Sequence, residues 1–145
     1  MAGARRNGIH LKYMPLRMEI RTIPHSEQRY ETCGDYWVDE NGVQQVRISE
    51  LNDWRYEVLI AVHEIVELSL ARQRNIDEDE ITNFDVNFEE AKGKGECFGE
   101  AGDHVHAPYR KEHFFATNIE RLFAAELGVD WFEYERYVDA LGSKK

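Results

Sequence analysis

A long stretch without helix-breaking residues is the strongest constraint on how this chain folds. From Trp54 to Arg74 the sequence contains neither glycine nor proline. Three side chains that commonly cap a helix N-terminus precede it: Ser49, Asn52 and Asp53. Because apolar residues recur through this stretch at helical spacing, the sequence predicts one long amphipathic helix from Trp54 to about Arg74.

The distribution of side chains around this helix predicts how it packs. With about 100° between successive residues, five residues share one face: Leu59, Val62, Val66, Ser69 and Leu70. We expect this face to lie on a β-sheet. A polar stripe borders it and contains Tyr56, His63, Glu67 and Arg74.

Two strand signals precede the helix. Residues 18–23 alternate apolar and polar side chains, which is the period of a half-buried strand, and Pro24 ends it. Residues 36–38 and 43–48 flank a turn that contains Asn41-Gly42, a pair that favours a tight hairpin. We therefore predict a strand and a hairpin that form a short antiparallel or mixed sheet.

The second half of the chain predicts two more helices. Asp77 to Glu80 is a run of acidic residues that we interpret as a solvated turn with some preference for a helix N-terminus. Residues 92–108 contain four glycines and form a loop or lid in this interpretation. Helices are then predicted over 109–127, ended by Gly128, and over 131–141, capped by Asp130.

The fold class that follows is α+β, in one domain that covers residues 18–142. A chain of 145 residues is long enough for one hydrophobic core and short for two. Residues 1–17 contain four basic residues and no acidic one, and we expect them to form a disordered leader.

Charge and cysteine content exclude some classes of partner. The chain has 28 Asp and Glu against 18 Lys and Arg, a net charge of −10, so nucleic-acid binding is disfavoured. Its apolar runs are too short to cross a membrane. Cys33 and Cys97 are too few for a disulfide framework, which favours reduced thiols and a cytoplasmic location.

The polar stripe of the long helix has the spacing of a metal site. His63 and Glu67 are four residues apart, so their side chains leave the same face and can bind one ion. Glu64, between them, points about a quarter turn away, where a general base near the metal belongs. The alternative is that His63 and Glu67 form an ordinary hydrogen-bonded pair on a solvated flank.

Strands followed by a long helix with His63-Glu64, and then by a further helix, resemble the zincin metallopeptidases over residues 18–127. In that superfamily the helix reads His-Glu-x-x-His, and a third ligand comes from downstream. Glu67 stands here in place of the second histidine; a carboxylate is still a ligand but makes the site more anionic. The resemblance implies a zinc ion at His63 and Glu67, and Glu64 as the group that activates a water molecule.

Four residues are candidates for the third metal ligand. His104 and His106 lie in the glycine-rich segment, and His113 and Glu120 lie on the second predicted helix. We favour His113, because it shares a helix face with Glu120 and with three small residues that would allow close approach: Ala116, Thr117 and Ala124. Glu120 would then orient His113 or supply the carboxylate ligand itself.

Three functions are consistent with this sequence. The first is a zinc-dependent hydrolase of the peptidase or amidase type, acting on a peptide or small molecule, with His63, Glu67 and His113 on the metal and Glu64 as base. The second is a phosphoester or nucleotide hydrolase that uses Mn²⁺ or Mg²⁺. The third is a non-catalytic acidic protein that binds a protein partner through a degenerate zincin scaffold.

Overall fold

The computed structural model describes residues 13–142, together with the backbone of a short antiparallel strand pair, β1 (Arg5–Arg6) and β2 (Ile9–His10). The further strands and α-helices of the described chain are β3 (Met18–Ile23), β4 (Gly34–Val38), β5 (Gln44–Ser49), α1 (Trp54–Gln73), α2 (Glu78–Gly93), α3 (Arg110–Glu126) and α4 (Trp131–Gly142). The fold is α+β, as predicted. Of the predicted disordered leader, residues 1–17, positions 1–4, 7–8 and 11–12 lie outside the described residues.

The main sheet is mixed, with the strand order β3-β5-β4. Strand β5 is central: Val46 lies opposite Ile20 of the parallel strand β3 and opposite Tyr36 of the antiparallel strand β4. The hairpin between β4 and β5 turns at Gly42, whose positive φ of 78° lets its N–H donate to the carbonyl of Asp39 over 3.0 Å. The predicted strand and hairpin are therefore confirmed.

Helix α1 packs between the sheet and α3. Its Leu59 is fully buried together with Val46 and Ile48 of β5. On the other side of α1, Ala116 and Ala124 of α3 are also fully buried. Because these side chains are small, the two helices approach closely enough for longer side chains to meet between them.

The predicted buried face of α1 is confirmed at Leu59 but is wrong in most of its other positions. Ser69 is exposed, and Val62 and Val66 are only partly buried. The buried side chains of α1 are Leu59, Ile60, Ala61, His63, Glu67, Leu68 and Ala71. His63 and Glu67 of the polar stripe thus lie inside the protein, because groups from the sheet and α3 form hydrogen bonds with them and offset the loss of water.

The prediction of two helices after α1 is also wrong, because the described chain has three. Asp77 is the N-cap of α2, and its side chain accepts the N–H groups of Asp79 (2.7 Å) and Glu80 (3.3 Å). The acidic run therefore begins a helix, and the glycine-rich loop starts after Gly93 rather than at residue 92. Both predicted later helices are confirmed: Gly128 has a φ of +68°, and the side chain of Asp130 accepts the N–H of Glu133.

None of the described helices is long and apolar enough to cross a membrane. Cys33 and Cys97 are both free and partly buried.

The cap at Asp77 predicts the stability of α2. Replacing Asp77 with alanine removes an acceptor for two N–H groups, so we expect the free energy of unfolding to fall by about 1 kcal/mol. Urea denaturation followed by circular dichroism measures it. The matched control is Asp79→Ala, an exposed acid two residues further on; an equal loss in that variant would contradict a capping role.

Candidate metal centre

Three buried side chains from two helices meet at one point. His63 and Glu67 lie one turn apart on α1, and His113 faces them from α3. His63 Nε2 is 3.0 Å from Glu67 Oε2 and 3.1 Å from His113 Nδ1, and His113 Nδ1 is 3.0 Å from the same Glu67 oxygen. The structure therefore brings together the three residues that the sequence predicts as ligands.

The shape and chemistry of this triangle fit a small divalent cation. A tetrahedral zinc ion with bonds of about 2.0–2.1 Å separates its ligand atoms by roughly 3.3–3.4 Å. The three atoms here would move apart by only a few tenths of an ångström to accept it. Two imidazole nitrogens and one carboxylate oxygen are common zinc ligands, and they leave a fourth position open.

The pKa values of His63 and Glu67 show how the cluster is balanced without a cation. Burial acts to lower the pKa of His63, but hydrogen bonds with Glu120 and Glu67 raise it to about 10. Burial acts to raise the pKa of Glu67, but hydrogen bonds from His113 and His63 lower it to about 2. Protons on the imidazoles thus stabilise the carboxylates, and a metal ion at the same point would replace them.

Further hydrogen bonds hold these side chains from behind. His63 Nδ1 is 2.8 Å from Glu120 Oε1, and the other oxygen of Glu120 accepts the hydroxyl of Tyr134 over 2.5 Å. The hydroxyl of Tyr36, on the sheet, donates to Glu67 Oε1 over 3.0 Å. The expectation that Glu120 orients His113 or binds the metal is wrong in this geometry: Glu120 orients His63.

His113 is held by the glycine-rich loop. Its Nε2 lies 3.0 Å from Glu100 and 3.4 Å from Asp103. Burial acts to lower the pKa of His113, but hydrogen bonds with Asp103 and Glu100 raise this pKa to about 12. Gly102, between these acids, is buried, and a Cβ atom there would lie 2.3 Å from Cγ of His113. The loop can therefore cover the imidazole only with glycine at this position.

The two other candidate histidines lie outside the cluster. His104 packs against the rings of Phe84 and Phe88, with centroid distances of 5.7 and 5.8 Å. His106 is exposed, and its N–H donates to Nδ1 of His104. Within the part of the chain that the structure describes, neither belongs to a group of side chains that could hold a metal.

Glu64 lines the same cavity as the three candidate ligands. This cavity has a volume of about 240 Å³. Within residues 13–142 no hydrogen bond holds its carboxylate. Burial, and then the charge of Glu67, raise the pKa of Glu64 well above its ordinary value. A Cβ atom at Gly34 would lie 2.6 Å from Glu64 Oε1, so the missing side chain of Gly34 leaves room for this carboxylate.

A further buried carboxylate in the cavity wall was not predicted. Asp85 of α2 accepts hydrogen bonds from the hydroxyls of Tyr30 (3.0 Å) and Tyr109 (2.5 Å). Burial raises the pKa of Asp85 to about 7 against the opposing effect of these bonds. Ile81, Asp85 and Phe88 lie at helical spacing and are buried together, a pattern that would have indicated α2 and its inward-facing acid.

Comparison with models of known protein families, with curated proteins and with solved structures finds no match to this chain. Its function therefore has to be inferred from the chemistry of its own residues.

The raised pKa of Asp85 predicts a pH-dependent effect on stability. Between pH 4 and 7 the folded protein holds a proton on Asp85 that the unfolded chain releases, so the contribution of this group falls as the pH rises. We therefore expect the free energy of unfolding of metal-free Asp85→Asn to increase relative to that of the metal-free wild type as the pH rises from 4 to 7. The increase should be at most about 4 kcal/mol.

Denaturation at several pH values measures this difference. The control is Asp79→Asn, which changes an exposed acid on the same helix and so leaves the buried carboxyl group in place. A constant difference between Asp85→Asn and the wild type would show that Asp85 is ionised throughout.

Proposed function

We propose that this protein is a zinc-dependent hydrolase of the zincin-like type that acts on peptide or amide bonds. The observation that carries the proposal is the meeting of His63 Nε2, Glu67 Oε2 and His113 Nδ1 at 3.0–3.1 Å in a cavity that Glu64 also lines. A structural ion pair needs neither a cavity nor a third ligand from another helix.

The order of the elements supports the zincin-like assignment. A helix that follows the strands supplies two ligands one turn apart, and a later helix supplies the third. Two imidazole nitrogens favour zinc over Mg²⁺, which prefers oxygen ligands and keeps several water molecules. Mn²⁺ is the alternative that suits a site with a carboxylate.

Each side chain has a task in this proposal. His63, Glu67 and His113 would hold the ion, and Glu120, Tyr36 and the loop acids would keep these three oriented. A zinc ion held by these three residues would supply Lewis-acid chemistry for the polarisation of a carbonyl group and the activation of water.

Glu64 would take a proton from water onto its carboxylate and pass it to the leaving amine. Its carboxylate is suited to this task because it lines the cavity and no other group in residues 13–142 is hydrogen-bonded to it.

The charge of the cavity bears on the phosphoester alternative. Many carboxylates line it, among them Glu31, Glu89, Glu100 and Asp103, whereas Lys92 is the single lysine or arginine among the described lining residues. An anionic phosphate ester would be repelled by such a wall. Amide hydrolysis is therefore favoured over phosphoester hydrolysis. The remaining alternative is a non-catalytic acidic binding protein, which a measurement of activity distinguishes from an amide hydrolase.

Metal analysis tests the first part of the proposal. Protein purified without a histidine tag should contain about one zinc per chain by inductively coupled plasma mass spectrometry. His63→Ala and His113→Ala should each lose it, because either change removes one of three ligands. His106→Ala, which changes an exposed histidine, is the control and should keep the metal. Equal metal content in all four proteins would argue against this centre.

Substitution of Glu64 tests the second part. Glu64→Gln should retain zinc but reduce zinc-dependent cleavage of a fluorogenic peptide mixture by about 100-fold or more, because the amide cannot take up the proton. Glu126→Gln, an exposed change on α3, should cleave like the wild type. If the wild type binds zinc but cleaves no peptide or amide, the non-catalytic alternative is favoured instead.

A further inference from the structure

Asp85 is a buried carboxyl group that the proposed hydrolysis does not use. It is 9% exposed and forms part of the cavity wall. Of the residues that the structure describes, no lysine, arginine or histidine forms an ion pair with it. Asp35, which is buried in the same wall, differs in this respect because Arg29 donates two hydrogen bonds to it, over 2.6 and 2.9 Å.

A buried carboxylate without a cation is unfavourable unless something else stabilises it. Tyr30 and Tyr109 each donate one hydroxyl, one to each oxygen of Asp85. A carboxylate offers about four acceptor positions, so two donors leave capacity for another group. The remaining cost of burial is visible in the pKa of Asp85, which burial raises to about 7.

The position of Asp85 connects this capacity with the candidate metal centre. The cavity that Asp85 lines is also lined by Glu64 and by the three candidate ligands. A molecule in this cavity can therefore contact Asp85 and reach the metal centre at the same time. The other carboxylates of the wall make the cavity favourable for a positive charge.

We propose that Asp85, held by Tyr30 and Tyr109, binds a cationic group of the substrate, such as an ammonium, guanidinium or amidinium group. The substrate class is then a basic peptide or amide. This assignment rests on the proposed function, because only an enzyme has a substrate. Binding of the cation is nevertheless measurable without turnover. Asp85 acts in recognition and takes no part in the transfer of protons.

Benzamidine and benzamide form a suitable pair of probes, because they have nearly the same shape and differ by one positive charge. We expect zinc-loaded wild-type protein to bind benzamidine about tenfold or more tightly than benzamide at pH 8, since hydrogen bonds between charged groups are the stronger ones. In Asp85→Asn this ratio should fall to about one. Isothermal titration calorimetry measures the four affinities.

The matched control is Glu89→Gln, which removes another wall carboxylate one turn further along α2. It should keep the preference for benzamidine within about twofold, because a general acidic field is shared among many groups. An equal loss in Glu89→Gln, an unchanged ratio in Asp85→Asn, or equal affinities of the wild type for the two probes would each overturn the assignment. The comparison of the two probes in the wild type does not depend on the folding of any variant.

The two proposals can fail separately. If benzamidine binds through Asp85 but Glu64→Gln has no effect on cleavage, the cation site stands and the hydrolase fails. If cleavage depends on zinc and Glu64 while benzamidine has no preference, the hydrolase stands and the cation site fails.

Discussion

The structure depends on the burial of one polar cluster between α1 and α3. His63 and Glu67 would destabilise the interior of a helix pair if they were alone, but His113 meets both of them from the facing helix. Fully buried alanines at positions 116 and 124 allow the helices this close approach. The packing of α3 on α1 therefore also assembles the candidate site.

The groups around this cluster explain why so acidic a chain can bury two imidazoles. Each histidine has a carboxylate behind it, Glu120 for His63 and Glu100 for His113. These contacts stabilise positive charge at the centre, whether protons or a metal ion supply it. The excess of acid in the composition is thus concentrated in part at the site and along the cavity beside it.

Much of this candidate site could be predicted from the chain, because its candidate ligands lie on regular helices. The spacing of His63 and Glu67 places them on one face, and the small residues near His113 indicate a helix that approaches another closely. Asp85 was missed because its helix begins with an acidic run that is typical of a solvated turn. Hydrophobic periodicity also assigned the wrong face of α1 to the core, since it treats every polar residue as one that prefers water.

The sequence by itself determined the local elements: the strand, the hairpin, the long helix and the two helices at the end of the chain. Spacing and turn chemistry are enough for these, because each depends on residues close together in the chain. Only the tertiary structure decided which polar residues are buried, that Glu120 supports His63, and that Asp85 faces the same cavity as the candidate metal ligands. These facts depend on partners 14 to 57 residues apart, which no local pattern specifies.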